Sequence, residues 1–96
     1  MALPAGEYEL RLYGHAPEQG LAGAHIDVCM ERGGRVLAQA PLQINGAASA
    51  HGLELARLIF VNEQAAQDLE IRVWVDAASD LTVLRTVITK TASSIP

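Results

Sequence analysis

Aromatic residues and cysteines are scarce in this chain of 96 residues, and each shortage limits how the fold can be stabilised. Aromatics make up 4% of the chain, so aliphatic side chains must fill most of the core. The single cysteine, Cys29, has no second thiol to pair with, which excludes a small fold stapled by internal disulfides. One unpaired cysteine is compatible with a reducing compartment, and we therefore expect a cytoplasmic protein.

Basic clusters and long apolar runs are missing as well. The formal net charge is -4, and the seven Lys and Arg residues are scattered along the chain. This distribution argues against nucleic acid as a partner, because a phosphate-binding surface needs clustered positive charge. No apolar run approaches the roughly 18 residues of a membrane helix, so we expect no membrane insertion. The opening "MALPAGEYEL" lacks the basic segment and the long apolar stretch of a secretory signal.

Alternation of apolar and polar residues with a period of two is the dominant pattern. Hydrophobic residues make up 50% of the chain, which argues against disorder. In "GEYELRLYG" and "LEIRVWVD" every second residue is apolar, as in strands buried on one face. The pair Gly33 and Gly34 predicts a two-residue hairpin turn with positive φ at both positions. A shift of the apolar phase near Leu84 and Arg85 predicts a β-bulge in the last strand.

These strands predict the fold class. About six or seven short strands, with turns every 8–12 residues or so, indicate an all-β antiparallel β-sandwich, which we assign to the jelly-roll type. The length fits one domain, which we place at residues 1–96. The side chains expected in the core are Tyr8, Leu10, Leu12, Ile26, Val28, Met30, Val36, Leu55, Phe60, Leu69, Ile71, Val73, Val75 and Val83.

The segment "HIDVCMER" places His25, Asp27, Cys29 and Glu31 in one row of a strand. Such a row is either a metal or catalytic site or the outer side of a sandwich strand, and we favour the second. A buried Cys29 would instead indicate that a loop or partner covers this face. The sequence has no nucleophile elbow, no P-loop and no dinucleotide-binding glycines. We therefore expect no enzymatic activity, no metal site and no cofactor.

The polar face of the strand "LEIRVWVD" is the candidate binding site. It carries Glu70, Arg72, Trp74 and Asp76, and Trp74 is the only tryptophan of the chain. An exposed indole flanked by charges can stack on the C–H face of a sugar ring while the charged groups bond its hydroxyls. Tyr13 extends this surface if the first strand lies next to that of Trp74. Alternatively, Trp74 is covered by a loop or contacts another protein or domain.

Two segments carry a resemblance to a known class of modules. The segment "LPAGEYELRLYGHA" resembles the first strand of jelly-roll or immunoglobulin-like β-sandwich modules, and "LIFVNEQAAQDLEIRVWVDAASDLTVLRTVITK" resembles their final strands. Such modules are accessory domains of bacterial carbohydrate-active proteins, including polysaccharide glycosyltransferases and exporters. The resemblance implies that this chain binds glycan or mediates assembly.

We therefore expect a non-catalytic accessory module that binds glycan or supports a polysaccharide-synthesising protein. The alternative is a structural module without sugar binding, which docks on a neighbouring domain or forms a homo-oligomer. Exposed edge strands and many small apolar residues fit this alternative as well.

Overall fold

The computed structural model describes residues 2–16, 23–49, 52–65, 68–75 and 81–91. It is built from strands, as the alternating sequence predicts, and the described residues contain no α-helix. A short 3₁₀ turn at Glu31–Gly33 joins the second strand to the third. The seven strands are β1 (Gly6–His15), β2 (His25–Met30), β3 (Arg35–Pro41), β4 (Asn45–Ser49), β5 (Gly52–Asn62), β6 (Glu70–Trp74) and β7 (Thr82–Lys90).

The strands form two antiparallel sheets. One has four strands in the order β4-β5-β1-β7, and the other has three in the order β3-β2-β6. Strand β1 pairs with β5 and β7, and β2 pairs with β3 and β6, all antiparallel. The predicted antiparallel β-sandwich is confirmed, and its jelly-roll type stays a prediction.

The core lies between the two sheets and is mostly aliphatic. Alternate residues of β1 point into it, and two aromatic rings, Tyr8 and Phe60, stack there with their centroids 5.5 Å apart. Burying each large side chain contributes about 1.5–3 kcal/mol in gross terms. The buried apolar residues are Tyr8, Leu10, Leu12, Ala24, Ile26, Val28, Cys29, Leu42, Leu55, Ala56, Leu58, Phe60 and Leu69.

Three residues predicted for the core are exposed instead. A register shift between Val28 and Cys29 places Val36 opposite Cys29, on the outer face, and leaves it 47% exposed. Val75 follows the last residue of β6, and Val83 lies on the edge strand β7; they are 47% and 45% exposed. The core prediction is wrong for these three residues. Met30, Ile71 and Val73 are partly buried and pack against the core.

The predicted irregularities of the backbone are partly confirmed. The pairing of β7 with β1 skips Leu84, because Tyr13 faces Arg85 while Gly14 faces Val83. This is the predicted bulge. The hairpin turn differs from its prediction, since Gly33 has a φ of 88° but Gly34 has a φ of -69°.

The turn starts earlier than the two glycines suggest. Glu31 and Arg32 also have positive φ, at 56° and 54°, so three consecutive residues adopt left-handed geometry. The backbone N–H of Glu31 donates to Oδ2 of Asp68 over 2.9 Å, which ties the turn to the segment that leads into β6.

The two sheets are closer together on one side than on the other. Strand β3 lies near β5 along its length, whereas β6 and β7 stay apart. Apolar side chains near the second side, such as Val75 and Val83, are about half exposed. We call this side, between β6 and β7, the open side of the sandwich.

Candidate ligand-binding face

The outer face of the three-stranded sheet holds the candidate site. Because β2 lies between β3 and β6, its residues face a neighbour on each side. His25 lies between Pro41 and Trp74. In the same way, the next outward residue of β2, Asp27, lies between Gln39 on β3 and Arg72 on β6. Residues that are far apart in the sequence thus form two adjacent rows across the three strands. One row is Pro41, His25 and Trp74, and the other is Gln39, Asp27 and Arg72.

Asp27 is the buried centre of this face, with 3% of its surface exposed. Nε and Nη2 of Arg72 donate to its two carboxylate oxygens over 2.9 and 3.0 Å. Nε1 of Trp74 donates to Oδ2 over 2.8 Å. The hydrogen bonds from Arg72, and to a smaller extent the one from Trp74, lower the pKa of Asp27, although burial acts in the opposite direction. The carboxylate is therefore charged and fully partnered at neutral pH.

Trp74 is held in place by three neighbours and still reaches solvent. Its N–H is bonded to Asp27, the Arg72 guanidinium carbon lies 5.0 Å from its ring centroid, and the His25 ring is stacked on it at 5.9 Å. Trp74 is nevertheless 46% exposed. An exposed ring with a fixed orientation loses little conformational entropy when it binds a ligand.

Cys29 is fully buried, although it lies on the same outward row. The backbone N–H of Gly33 is hydrogen-bonded to its sulfur, and burial raises the pKa of the thiol. A Cβ added at Gly33 would lie 2.4 Å from Nη1 of Arg72, so the turn also approaches the guanidinium closely. The turn at Glu31–Gly33 therefore lies against both residues.

The outward row of β2 and the turn after it, predicted from "HIDVCMER", faces solvent only in part. Glu31 is exposed and His25 is half-buried, but the expectation of a wet face is wrong for Asp27 and Cys29. Side chains from β6 and the turn after β2 cover them. The alternative that a loop covers Cys29 is confirmed.

The five predicted site residues are distributed unequally. The structure brings Arg72 and Trp74 together, and Glu70 is exposed on the same face of β6. Tyr13 is on β1, in the other sheet. The first strand therefore does not lie next to that of Trp74, and Tyr13 does not extend the binding surface. Asp76 lies outside the described residues.

Sequence reasoning missed four residues of this outer face. Asp27 and His25 were interpreted as part of a separate row, and no role was given to Gln39 and Pro41. An open depression on the β3 side of His25 is lined by His25, Gln39, Pro41 and an alanine of β3. Only the pairing of β2 with β3 and β6 brings these residues together, and a single sequence does not reveal that pairing.

Within the described ranges, no three His, Cys, Asp or Glu residues are close enough to hold a metal ion. None of the helical segments in those ranges has the length and hydrophobicity to cross a membrane. Comparison with known proteins gave no match to a family, to a curated protein or to a solved structure.

Proposed function

We propose that this chain is a non-catalytic jelly-roll module of a bacterial polysaccharide-synthesising protein, and that it binds glycan at Trp74. The observation that carries the proposal is the combination of exposure and restraint at this residue. Trp74 is 46% exposed, yet its N–H and its ring are fixed by Asp27, Arg72 and His25. A fixed, exposed indole is a suitable surface for the C–H face of a sugar ring.

The polar residues around Trp74 divide into supporting and contacting groups. Arg72 and Asp27 neutralise each other, so we assign them a positioning role. Gln39 and Glu70 are exposed on the same face and are the groups left to bond sugar hydroxyls. Of the residues first expected to contact ligand, Trp74 and Glu70 keep that role in this proposal.

Titration of the single tryptophan tests the proposal directly. Trp74 fluorescence should change in a saturable way when neutral and acidic oligosaccharides of bacterial polysaccharides are added. Gln39→Ala should weaken binding several-fold, because it removes an exposed polar side chain from the same outer face as the ring. Gln43→Ala is the matched control, since Gln43 is also exposed but lies beyond the end of β3.

Two results would argue against glycan binding at Trp74. An unchanged emission spectrum at millimolar concentrations of every glycan tested would remove the sugar-binding role. Equal effects of Gln39→Ala and Gln43→Ala would place the ligand elsewhere on the molecule. A cytoplasmic location belongs to the same proposal and is supported by the single, buried thiol of Cys29.

A second candidate is an interaction module that docks on a neighbouring domain or on a second copy. The open side of the sandwich favours it, because Val75 and Val83 are each about half exposed there. Sedimentation velocity at increasing protein concentration tests the self-association version. A sedimentation coefficient that does not depend on concentration would argue against it.

A further inference from the structure

We infer that β6 is a self-association edge and that two copies of the chain pair antiparallel through it, with Ile71 at the two-fold axis. This inference rests on the second candidate function and names its partner as another copy. It does not depend on glycan binding. The paired copies would form a continuous sheet of six strands in the order β3-β2-β6-β6-β2-β3.

The choice of β6 comes from a comparison of the four edge strands. An exposed edge is normally protected by proline, charged side chains, a bulge or short length. Strand β3 has a register shift and ends in Pro41, β7 has a bulge and ends in Lys90, and β4 pairs irregularly with β5. Strand β6, Glu70–Trp74, is five residues long and has no proline, lysine or register shift. Its two charged side chains, Glu70 and Arg72, have opposite signs, so they can face each other across a pair of copies. Among the described residues, β6 is paired with β2 alone.

The side chains of β6 favour one pairing register. Glu70, Arg72 and Trp74 face outward, and Ile71 and Val73 face the core side. When Ile71 lies opposite Ile71 of the second copy, Glu70 lies opposite Arg72 of that copy, and the same pair occurs twice. A register centred on Arg72 would instead place two guanidinium groups opposite each other. Arg72 already pairs with Asp27 in each copy, so the first register is favoured because it avoids two opposed guanidinium groups and adds a carboxylate beside each one.

The same register also matches the apolar side of the strand. Ile71 and Val73 are only partly buried in the single chain, because the open side leaves them without a full cover. Pairing would place the two Ile71 side chains together and would satisfy backbone groups at the edge of β6. The two Trp74 residues would then lie on one continuous face, about 20 Å apart along the strands. Such spacing would give a long glycan two contacts with one dimer.

Cysteine cross-linking tests the register. Antiparallel neighbours have Cα atoms about 4.5–5.5 Å apart, which is within disulfide range. Ile71→Cys should therefore form a disulfide-linked dimer under mild oxidation. Val73→Cys is the matched control, because its counterpart would lie about 13 Å away along the strand. The buried Cys29 should not compete.

A charge reversal tests the same register without changing the core side. Glu70→Lys places lysine opposite Arg72 of the second copy and should raise the dimer dissociation constant at least tenfold. Glu63→Lys makes the same change of net charge at an exposed site away from β6 and should leave the constant within about twofold. Both are measured by sedimentation velocity.

Several outcomes would overturn the inference. These are a wild-type protein that stays monomeric at millimolar concentration, equal cross-linking of the two cysteine variants, and equal effects of the two lysine variants. If Ile71→Cys does not fold, the Glu70→Lys comparison decides alone. Glycan titration at a protein concentration below the dimer dissociation constant separates failure of this inference from failure of the sugar-binding proposal.

Discussion

The outer faces of the two sheets both carry alternating charged residues, but they use them differently. On the four-stranded sheet, Nε of Arg11 lies 2.6 Å from Glu9 and 3.9 Å from Glu54, and all three side chains are partly exposed. On the three-stranded sheet, Arg72 bonds Asp27 through two nitrogens, and the carboxylate is almost completely buried. The first arrangement is a solvated ladder, and the second is a closed ion pair.

The difference comes from what lies above the charges. Trp74 and the turn at Glu31–Gly33 exclude water from Asp27 and Cys29, whereas the side chains of Arg11 and Glu9 on β1 are 39% and 23% exposed. Exposed ion pairs contribute little to stability because water and salt screen them. A buried pair has a large effect when one partner is removed, because the other loses its compensation. The two faces should therefore respond differently to the same type of substitution.

The largest expected effect is that of Asp27→Ala. It removes the acceptor for Arg72 and Trp74, so we expect the free energy of unfolding to fall by about 2–3 kcal/mol. Glu9→Ala, on the solvated ladder, should lower it by less than about 1 kcal/mol. Urea unfolding followed by circular dichroism measures both values. Equal losses would mean that the two faces do not differ in the way described here.

Acidification should remove part of the same stabilisation. Hydrogen bonds from Arg72 and Trp74 lower the pKa of Asp27 in the folded chain below its unfolded value of about 3.9. The unfolded state therefore binds more protons at low pH. The stabilisation is fully present above the unfolded pKa and is lost as the pH falls through the folded pKa.

Urea midpoints measured between neutral pH and about pH 3 should show this loss. Asp27→Asn should have a shallower decline over the acidic part of that range, because it lacks the titrating group. If Asp27→Asn follows the wild-type curve, then Asp27 does not cause the acid sensitivity.

The sequence predicts which side chains of a single strand point inward, but it does not predict which strands pair with each other. The inward positions of Tyr8, Leu10 and Leu12 follow from alternation within one strand, and the phase shift near Leu84 reveals the bulge. The bond between Asp27 and Arg72 joins residues 45 positions apart, and it forms only because β2 pairs with β6 in one register. Alternation does not specify that register.

Two further differences have the same physical origin. Tyr13 and Trp74 both face outward, as alternation predicts, but strand order places them on different sheets. Val36 is among the side chains that the sequence predicts in the core. One extra residue in β3 reverses the phase of alternation, so Val36 shares the outer face with Cys29. Strand order and bulges depend on packing between distant segments, which a single sequence does not specify.

The smallest expected effect is the difference between Gly33→Ala and Gly23→Ala. This difference separates the contact of the Glu31–Gly33 turn with Arg72 from the backbone strain that both substitutions cause. Both glycines have left-handed φ, 88° and 78°, so each substitution should cost about 1 kcal/mol from strain. A Cβ at Gly23 meets no atom within 4 Å, whereas one at Gly33 would lie 2.4 Å from Nη1 of Arg72. Because Arg72 is bonded to Asp27, it can move away only by weakening that bond.

Gly33→Ala should therefore cost about 1 kcal/mol more than Gly23→Ala in urea unfolding. It should also change the emission of Trp74, whose ring lies against the same guanidinium, while Gly23→Ala should leave that emission unchanged. Equal costs with unchanged emission would show that the turn does not restrain Arg72. In that case the closed ion pair would depend on Trp74 alone, and the two outer faces would differ by a single side chain.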